Sequence, residues 1–148
     1  MAEEPIKRSE VDNALNNLAE GMRKDEAKLK HNINLSWGQF TEAVKTAKKN
    51  CDTLVKAAEK NRKEKMNQAE ADYNQQARGP EGASYEAYQQ GRAKIKDDCT
   101  AEIEHAHTLL DQERQDAANK FRTKSGEYID TFATAIGTTV ENFKSAHP

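Results

Sequence analysis

Apolar residues recur along most of this chain at spacings of three, four or seven residues. An α-helix turns by about 100° per residue, so positions with this spacing lie on one stripe of its surface. No segment alternates apolar and polar residues convincingly with a period of two, and the pattern therefore predicts an all-α fold without strands. The stripe includes Val11, Leu15, Leu18, Met22, Leu29, Ile33, Trp37, Phe40, Val44, Ala47, Cys51, Ala58, Met66, Ala69 and Tyr73, and later Tyr88, Ile95, Cys99, Ile103, Ala106, Leu110, Ala117, Phe121, Ile129, Phe132, Ile136, Val140 and Phe143.

Three stretches predict interruptions of these helices. A Gly-Pro pair followed by a further glycine within residues 79–82 is typical of a turn. Ser36 and Gln39 have the spacing of a capping box at a helix start, flanked by apolar residues placed as a hydrophobic staple. Residues 123–126 (TKSG) offer a similar stop and restart. If the chain folds back at Pro80, position i faces position 160 minus i, so the second and third interruptions lie opposite each other.

The sequence therefore predicts four helices. The two long central helices form an antiparallel coiled-coil hairpin, and the shorter terminal helices fold back beside them into a four-helix bundle. The helices lie near residues 9–34, 36–77, 84–122 and 126–145. We expect one helical domain, with its bundle base at about 9–61 and 99–145 and a polar stalk and tip at about 62–98. If both breaks stay helical, the alternative is one extended two-helix rod.

Composition narrows the class of protein. The 148 residues include 23 basic and 25 acidic ones, so no strongly cationic surface for nucleic acid is expected. A mean hydropathy of −1.05 fits long helices with narrow apolar seams. Residues 131–140 form one of the longest stretches without charge, and this stretch is too short to span a bilayer as a helix. The start of the chain lacks the apolar segment that would mark a secretory signal. We therefore expect the two cysteines to be reduced thiols and the protein to be cytoplasmic.

The segment DDCTAEIEHAH, residues 97–107, is the densest group of metal-binding residue types. Asp98, Glu102 and His105 follow one flank of a helix at i, i+4 and i+7. The spacing from Glu102 to His105 is similar to the Glu-x-x-His motif of ferritin-like di-iron proteins, which need a second such motif on another helix. Since the chain has none, we interpret the segment as a solvated flank and expect no metal and no cofactor.

Both cysteines are expected to be inert. Cys51 and Cys99 lie in the apolar stripe, where a free cysteine behaves as a small hydrophobic residue. The hairpin pairing places them too far apart for a disulfide. Since phosphate-binding loops, Gly-x-Ser-x-Gly elbows and His-Glu-x-x-His motifs are also missing from the sequence, we expect no catalytic residues and no enzyme activity.

Two groups of residues are candidates for an interface. The last predicted helix has a stripe of large apolar residues that either covers the bundle core or forms an oligomer seam. Three tyrosines near the hairpin tip either hold the tip together or contact a partner, because Tyr is enriched at interfaces. These candidates are Phe132, Ile136, Val140 and Phe143 in the last helix, and Tyr73, Tyr85 and Tyr88 near the tip.

These observations favour a non-enzymatic helical interaction or scaffold protein. We expect it to form a homodimer by helix packing and to present its coiled-coil arm to an unknown protein partner, with no role in nucleic-acid binding. An alternative is reversible binding to a lipid or other hydrophobic surface, which the narrow apolar stripes do not favour. A metal-binding helical bundle is the third hypothesis.

Overall fold

The computed structural model describes residues 7–77 and 84–146, and these residues form two helices. Helix α1 is Arg8–Ala77, with 70 residues, and helix α2 is Tyr85–Ala146, with 62 residues. The all-α class is confirmed. The prediction of four helices, with terminal helices folded back into a bundle, is wrong, because both helices continue through the positions at which breaks were expected.

Helix α1 passes through the predicted capping box without interruption. Ser36 is 4% exposed inside the helix, so its side chain caps no helix start. The staple expected between Leu35 and Phe40 has no helix start to hold, and Phe40 packs instead against Trp37, with ring centroids 5.2 Å apart. A serine cap contributes only about 1 kcal/mol. An unbroken helix retains its backbone hydrogen bonds and keeps its apolar stripe against α2.

Helix α2 is likewise continuous through residues 123–126. Gly126 costs only about 1 kcal/mol relative to alanine inside a helix, which is too little to stop one that packs along its length. Thr123 and Ser125 are tolerated for the same reason. The second predicted break is therefore also wrong.

The start of α2 has a cap that the sequence reasoning did not single out. The Ser84 hydroxyl accepts a hydrogen bond of 3.2 Å from the backbone N–H of Ala87. The Ser84 carbonyl accepts one of 3.1 Å from the N–H of Tyr88. This is the geometry of an N-cap serine, and its signal was the serine just before the apolar run. The turn predicted at 79–82 lies outside the described residues.

The chain divides into two compact units, each with residues from both helices. Unit 1 comprises Met1–Thr41 and Ala118–Pro148, and unit 2 comprises Glu42–Ala117. Within each unit the helix-to-helix contacts follow the antiparallel rule that position i faces position 160 minus i, to within a few residues. In unit 1 this is seen for Gly21 and Thr139.

The core of unit 2 is a seam of small side chains. Ala47, Cys51, Ala106 and Leu110 are buried together, with the partly buried Val55 packed against them. Among the described residues, Leu110 is the only large apolar side chain that is buried, and Ala106 is only 1% exposed. Since a two-helix layer cannot enclose large side chains on all sides, alanine and cysteine occupy its centre.

Candidate interaction surface

In unit 1 the two helices approach closely along a line of small and polar residues. A Cβ atom built on Gly21 of α1 would lie 2.9 Å from the Cγ2 methyl of Thr139 on α2, closer than real carbon atoms pack. Thr139 also donates a hydrogen bond of 3.0 Å from its hydroxyl to the carboxylate of Asp25. Among the described residues of this unit, only Ala14 and Ser36 are buried. Little space remains for large side chains directly between the helices.

The large apolar residues of α1 lie to one side of this line. With Ser36 at zero on a helical wheel, Ala14, Gly21 and Asp25 fall between about −20° and −60°. Most large apolar side chains fall between about 20° and 60°, and Trp37 lies near 100°. Those on the positive side are Val11, Leu15, Met22, Leu29, Ile33, Trp37 and Phe40, of which the first three and Trp37 are exposed.

Helix α2 adds apolar residues to the same side of unit 1. The helices are antiparallel, so positive angles on the two wheels point to the same side of the helix pair. In agreement with this, the close contact between Gly21 and Thr139 joins residues at negative angles on both wheels. With Ser125 at zero, three large apolar residues of α2 fall between about 20° and 60°. Together with the α1 residues they form a surface that we call the apolar flank: Val11, Leu15, Met22, Leu29, Ile33, Trp37, Phe40, Ile129, Ile136 and Val140.

The four residues of the last predicted helix that were expected to form an interface are all half-buried in unit 1. Ile136 and Val140 belong to the apolar flank. Phe132 and Phe143 lie nearer the middle of the helix face, at about −20° and 0° on the same wheel. Packing against α1 therefore covers part of each side chain. Their role in an oligomer stays a prediction.

An aromatic cluster marks one end of the apolar flank. The ring centroid of Trp37 lies 5.2 Å from that of Phe40 and 5.4 Å from that of Phe121, and the two phenylalanines are 5.9 Å apart. Trp37 belongs to the apolar stripe that the predicted four-helix bundle would have covered. In the absence of that bundle its side chain is 51% exposed. A half-exposed tryptophan held by two other rings presents a rigid apolar surface.

In unit 2 the three candidate tyrosines are in mutual contact. Tyr73 stacks on Tyr88, with centroids 4.5 Å apart, and lies 6.0 Å from Tyr85. The guanidinium of Arg92 lies 5.5 Å from the centre of the Tyr88 ring, within range of a cation–π interaction. The predicted proximity of the tyrosines is therefore confirmed. The idea that they contact a partner stays a prediction.

Unit 2 also holds both cysteines, and both are free and buried. The Sγ of Cys51 lies 3.8 Å from Nδ1 of His107. Cys99 donates a hydrogen bond of 3.5 Å to the backbone carbonyl of Ala58. The contact with His107 was missed from the sequence, although the hairpin rule placed Cys51 opposite residue 109, two positions away. A thiol this deeply buried is poorly placed to react with a substrate.

The proposed ligand row Asp98, Glu102 and His105 is exposed on α2. Within the described ranges, no three His, Cys, Asp or Glu side chains are grouped so that they could hold a metal ion. Cys51 and His107 together provide two potential metal ligands rather than three. Among the described residues, surfaces for contact with another molecule are therefore the best candidate sites.

No helix in the described part of the chain combines the length and apolar character needed to cross a membrane. No family model, curated protein or solved structure matches the chain.

Proposed function

We propose that this chain is a non-enzymatic helical interaction protein that forms a homodimer through the apolar flank of unit 1. The observation that carries the proposal is the offset between the close-packed seam and the large apolar residues. On the flank, Leu15 is 49% exposed, Ile129 is 50% exposed and Trp37 is 51% exposed. Burial of apolar surface contributes about 25 cal/mol per Å², so covering this flank favours association.

Charge at the edge of the flank favours a second copy as the occupant. The charged residues at the edge of α1 pair with one another, Arg8 with Asp12 at 3.4 Å and Lys30 with Glu26 at 3.0 Å. On the α1 side, two copies of this surface can therefore meet without placing unpaired like charges opposite each other. A partner with a strongly charged surface would find no complementary charge in these pairs.

Small residues at the edge of α2 support the same occupant. Gly126, Ala133 and Gly137 lie on the positive side of α2, beyond the large apolar residues, at about 80° to 120° on its wheel. They are exposed and would let the helices of a second copy approach. A two-fold arrangement would place four helices around one apolar layer, since two-fold dimers are the commonest oligomers. The free cysteines fit a reducing compartment, and we propose the cytoplasm.

Matched aspartate variants test the proposal. Leu15 and Leu35 are both half-exposed leucines of α1 in unit 1, but Leu35 lies near −100° on the wheel, away from the apolar flank. Sedimentation equilibrium should give a dimer for the unaltered protein and for Leu35→Asp. Leu15→Asp, alone or with Ile129→Asp, should shift the distribution to monomer. Circular dichroism should give the same helical content for all four proteins.

The melting temperature provides a second readout. For a dimer it rises with protein concentration, because association stabilises the folded chain by mass action. A monomer at high micromolar concentration with a concentration-independent melt would contradict the proposal. So would equal weakening by Leu15→Asp and Leu35→Asp, since the flank would then not be the surface involved.

Flotation with phosphatidylcholine vesicles tests the lipid-surface alternative in the same samples. Helical content is an uninformative readout here, because nearly all described residues are already helical. If the unaltered chain floats with vesicles as a monomer and Leu15→Asp does not, the flank binds lipid and the homodimer is wrong.

A further inference from the structure

Unit 2 contains a shallow groove with an unusual concentration of positive charge. Its volume is about 560 Å³, and both helices line it. Glu59 is the only carboxylate among the described residues that line it. Six cationic side chains line the same groove: Lys56, Lys60, Arg62, Lys63, Arg92 and Lys96.

None of these six cations forms an ion pair with another described residue, although the chain as a whole is slightly acidic. Lysines elsewhere do pair, for example Lys24 with Glu20 and Lys124 with Glu127. Glu59 has Lys63 at the favourable i+4 position, but no ion pair joins them. The groove therefore combines several like charges that repel one another and that an anion would stabilise.

Part of the groove is held in place by its neighbours. The guanidinium of Arg92 lies against the ring of Tyr88, which is itself stacked on Tyr73. Met66 is half-buried and provides an apolar part of the lining. Arg92 thus presents its donors from a supported position, and an arginine fork suits the oxygens of a phosphate group.

Acidic residues at both ends limit the size of the occupant. Along α1 the cations from Lys56 to Lys63 span roughly 10 Å, at about 1.5 Å per residue. Asp52 lies about one turn before them, and Glu70 lies less than one turn beyond Asn67, the last lining residue of α1. A long polyanion following the helices would meet carboxylates at each end. A compact anion with several charges would avoid both of these carboxylates and meet six cations against the single carboxylate of Glu59.

We infer that this groove binds a compact anion carrying several phosphate groups, held by cations from both helices. The surface lies in unit 2 and does not rest on the proposed self-association through unit 1. The same chemistry is available from a free polyphosphate and from a phosphorylated lipid headgroup.

Inorganic triphosphate is the simplest probe. Isothermal titration calorimetry at low salt should give one site per chain, with affinity that falls as salt is added, because the contacting charges are exposed and screened. The variant Lys60→Gln/Lys63→Gln/Lys96→Gln should lose about tenfold or more of this affinity, as three exposed charge contacts add up. The matched control Lys28→Gln/Lys45→Gln/Lys94→Gln removes three exposed lysines outside the groove and should bind as the unaltered chain does.

Further probes distinguish the sources and the rival occupant. Vesicles of phosphatidylcholine with and without phosphatidylinositol bisphosphate show whether a lipid headgroup is also accepted, with triphosphate as competitor. The inference is supported if the unaltered chain binds triphosphate or the bisphosphate vesicles and the groove variant loses that binding. Equal loss in the control variant, no binding of either triphosphate or the bisphosphate vesicles, or tighter binding of duplex DNA that occupies the groove would overturn it.

Discussion

The substitution Ala106→Leu tests whether the seam of unit 2 is as closely packed as its small residues indicate. Ala106 is 1% exposed and packs with Ala47, Cys51 and Leu110 between the helices. Leucine adds three carbon atoms where no space remains. Overpacking of this kind costs about 1–3 kcal/mol. Alanine and leucine differ little in helix propensity, so the expected loss comes from packing.

The matched control is Ala101→Leu, which places the same side chain on the exposed side of the same helix. Thermal unfolding should be followed by circular dichroism at one fixed protein concentration. A cost of 1–3 kcal/mol corresponds to a fall of about 2–12 °C for a chain of this size. The control should stay within about 0.5 kcal/mol of the unaltered protein. Equal melting temperatures for the two variants would refute a close-packed seam.

Two further predictions concern the seam of unit 1 and the helix interior, and urea unfolding followed by circular dichroism measures both. The hydroxyl of Ser125 is buried and has no hydrogen-bond partner among the described residues; Ser125→Ala should therefore raise stability by about 1 kcal/mol, and a loss would mean that the hydroxyl has a partner. Gly38 has open space around its Cα, so Gly38→Ala should stabilise the helix by about 0.5–1 kcal/mol. Gly21→Ala should bring no such gain, because its Cβ would press on Thr139, whose hydroxyl is held by Asp25; equal gains at both glycines would contradict the close approach.

Periodicity was enough to predict that the chain is helical and which stripe of residues packs between the helices. The spacing of Ala47, Cys51 and Ala58 follows directly from the need to keep one stripe against a partner helix, whatever the details of packing. The register followed from one assumption, a turn at Pro80, and contacts such as Cys99 with the Ala58 carbonyl agree with it. Such features depend on repeated local geometry, so a single sequence carries them well.

Helix ends were harder to predict because caps are weak signals. Ser36 and Ser84 both stand just before apolar residues, yet only Ser84 begins a helix. The difference lies outside the local sequence. Around Ser36 the seam continues in both directions and compensates for an unused cap. At Ser84 the described helix starts. Local propensities of about 1 kcal/mol cannot decide such cases alone.

The candidate sites were harder to predict because several of their residues lie on the flanks of the two helices, outside the apolar stripes. The contact of Cys51 with His107 required knowing which side of α2 faces α1, and the hairpin rule was two residues away from it. The basic groove joins Lys63 on one helix to Lys96 on the other, residues that no linear motif connects. Metal-ligand spacing within one helix, as in Glu102 and His105, was visible in the sequence but is exposed in the structure.

The wrong prediction of a folded-back bundle rested on two expected helix breaks, but such a bundle would also have buried the apolar residues of unit 1. Unit 1 has more large apolar side chains than one helix-to-helix seam can cover, and folding the terminal segments back would have covered them. That solution requires breaks at Ser36 and Gly126, and both helices are continuous there. The residues nevertheless stay partly uncovered, as the exposure of Leu15 and Ile129 indicates. If this chain cannot supply the third and fourth helices, another chain can, and a second copy supplies both at once with matching apolar surfaces. The homodimer that we propose would thus cover the apolar surface that the folded-back bundle would have covered.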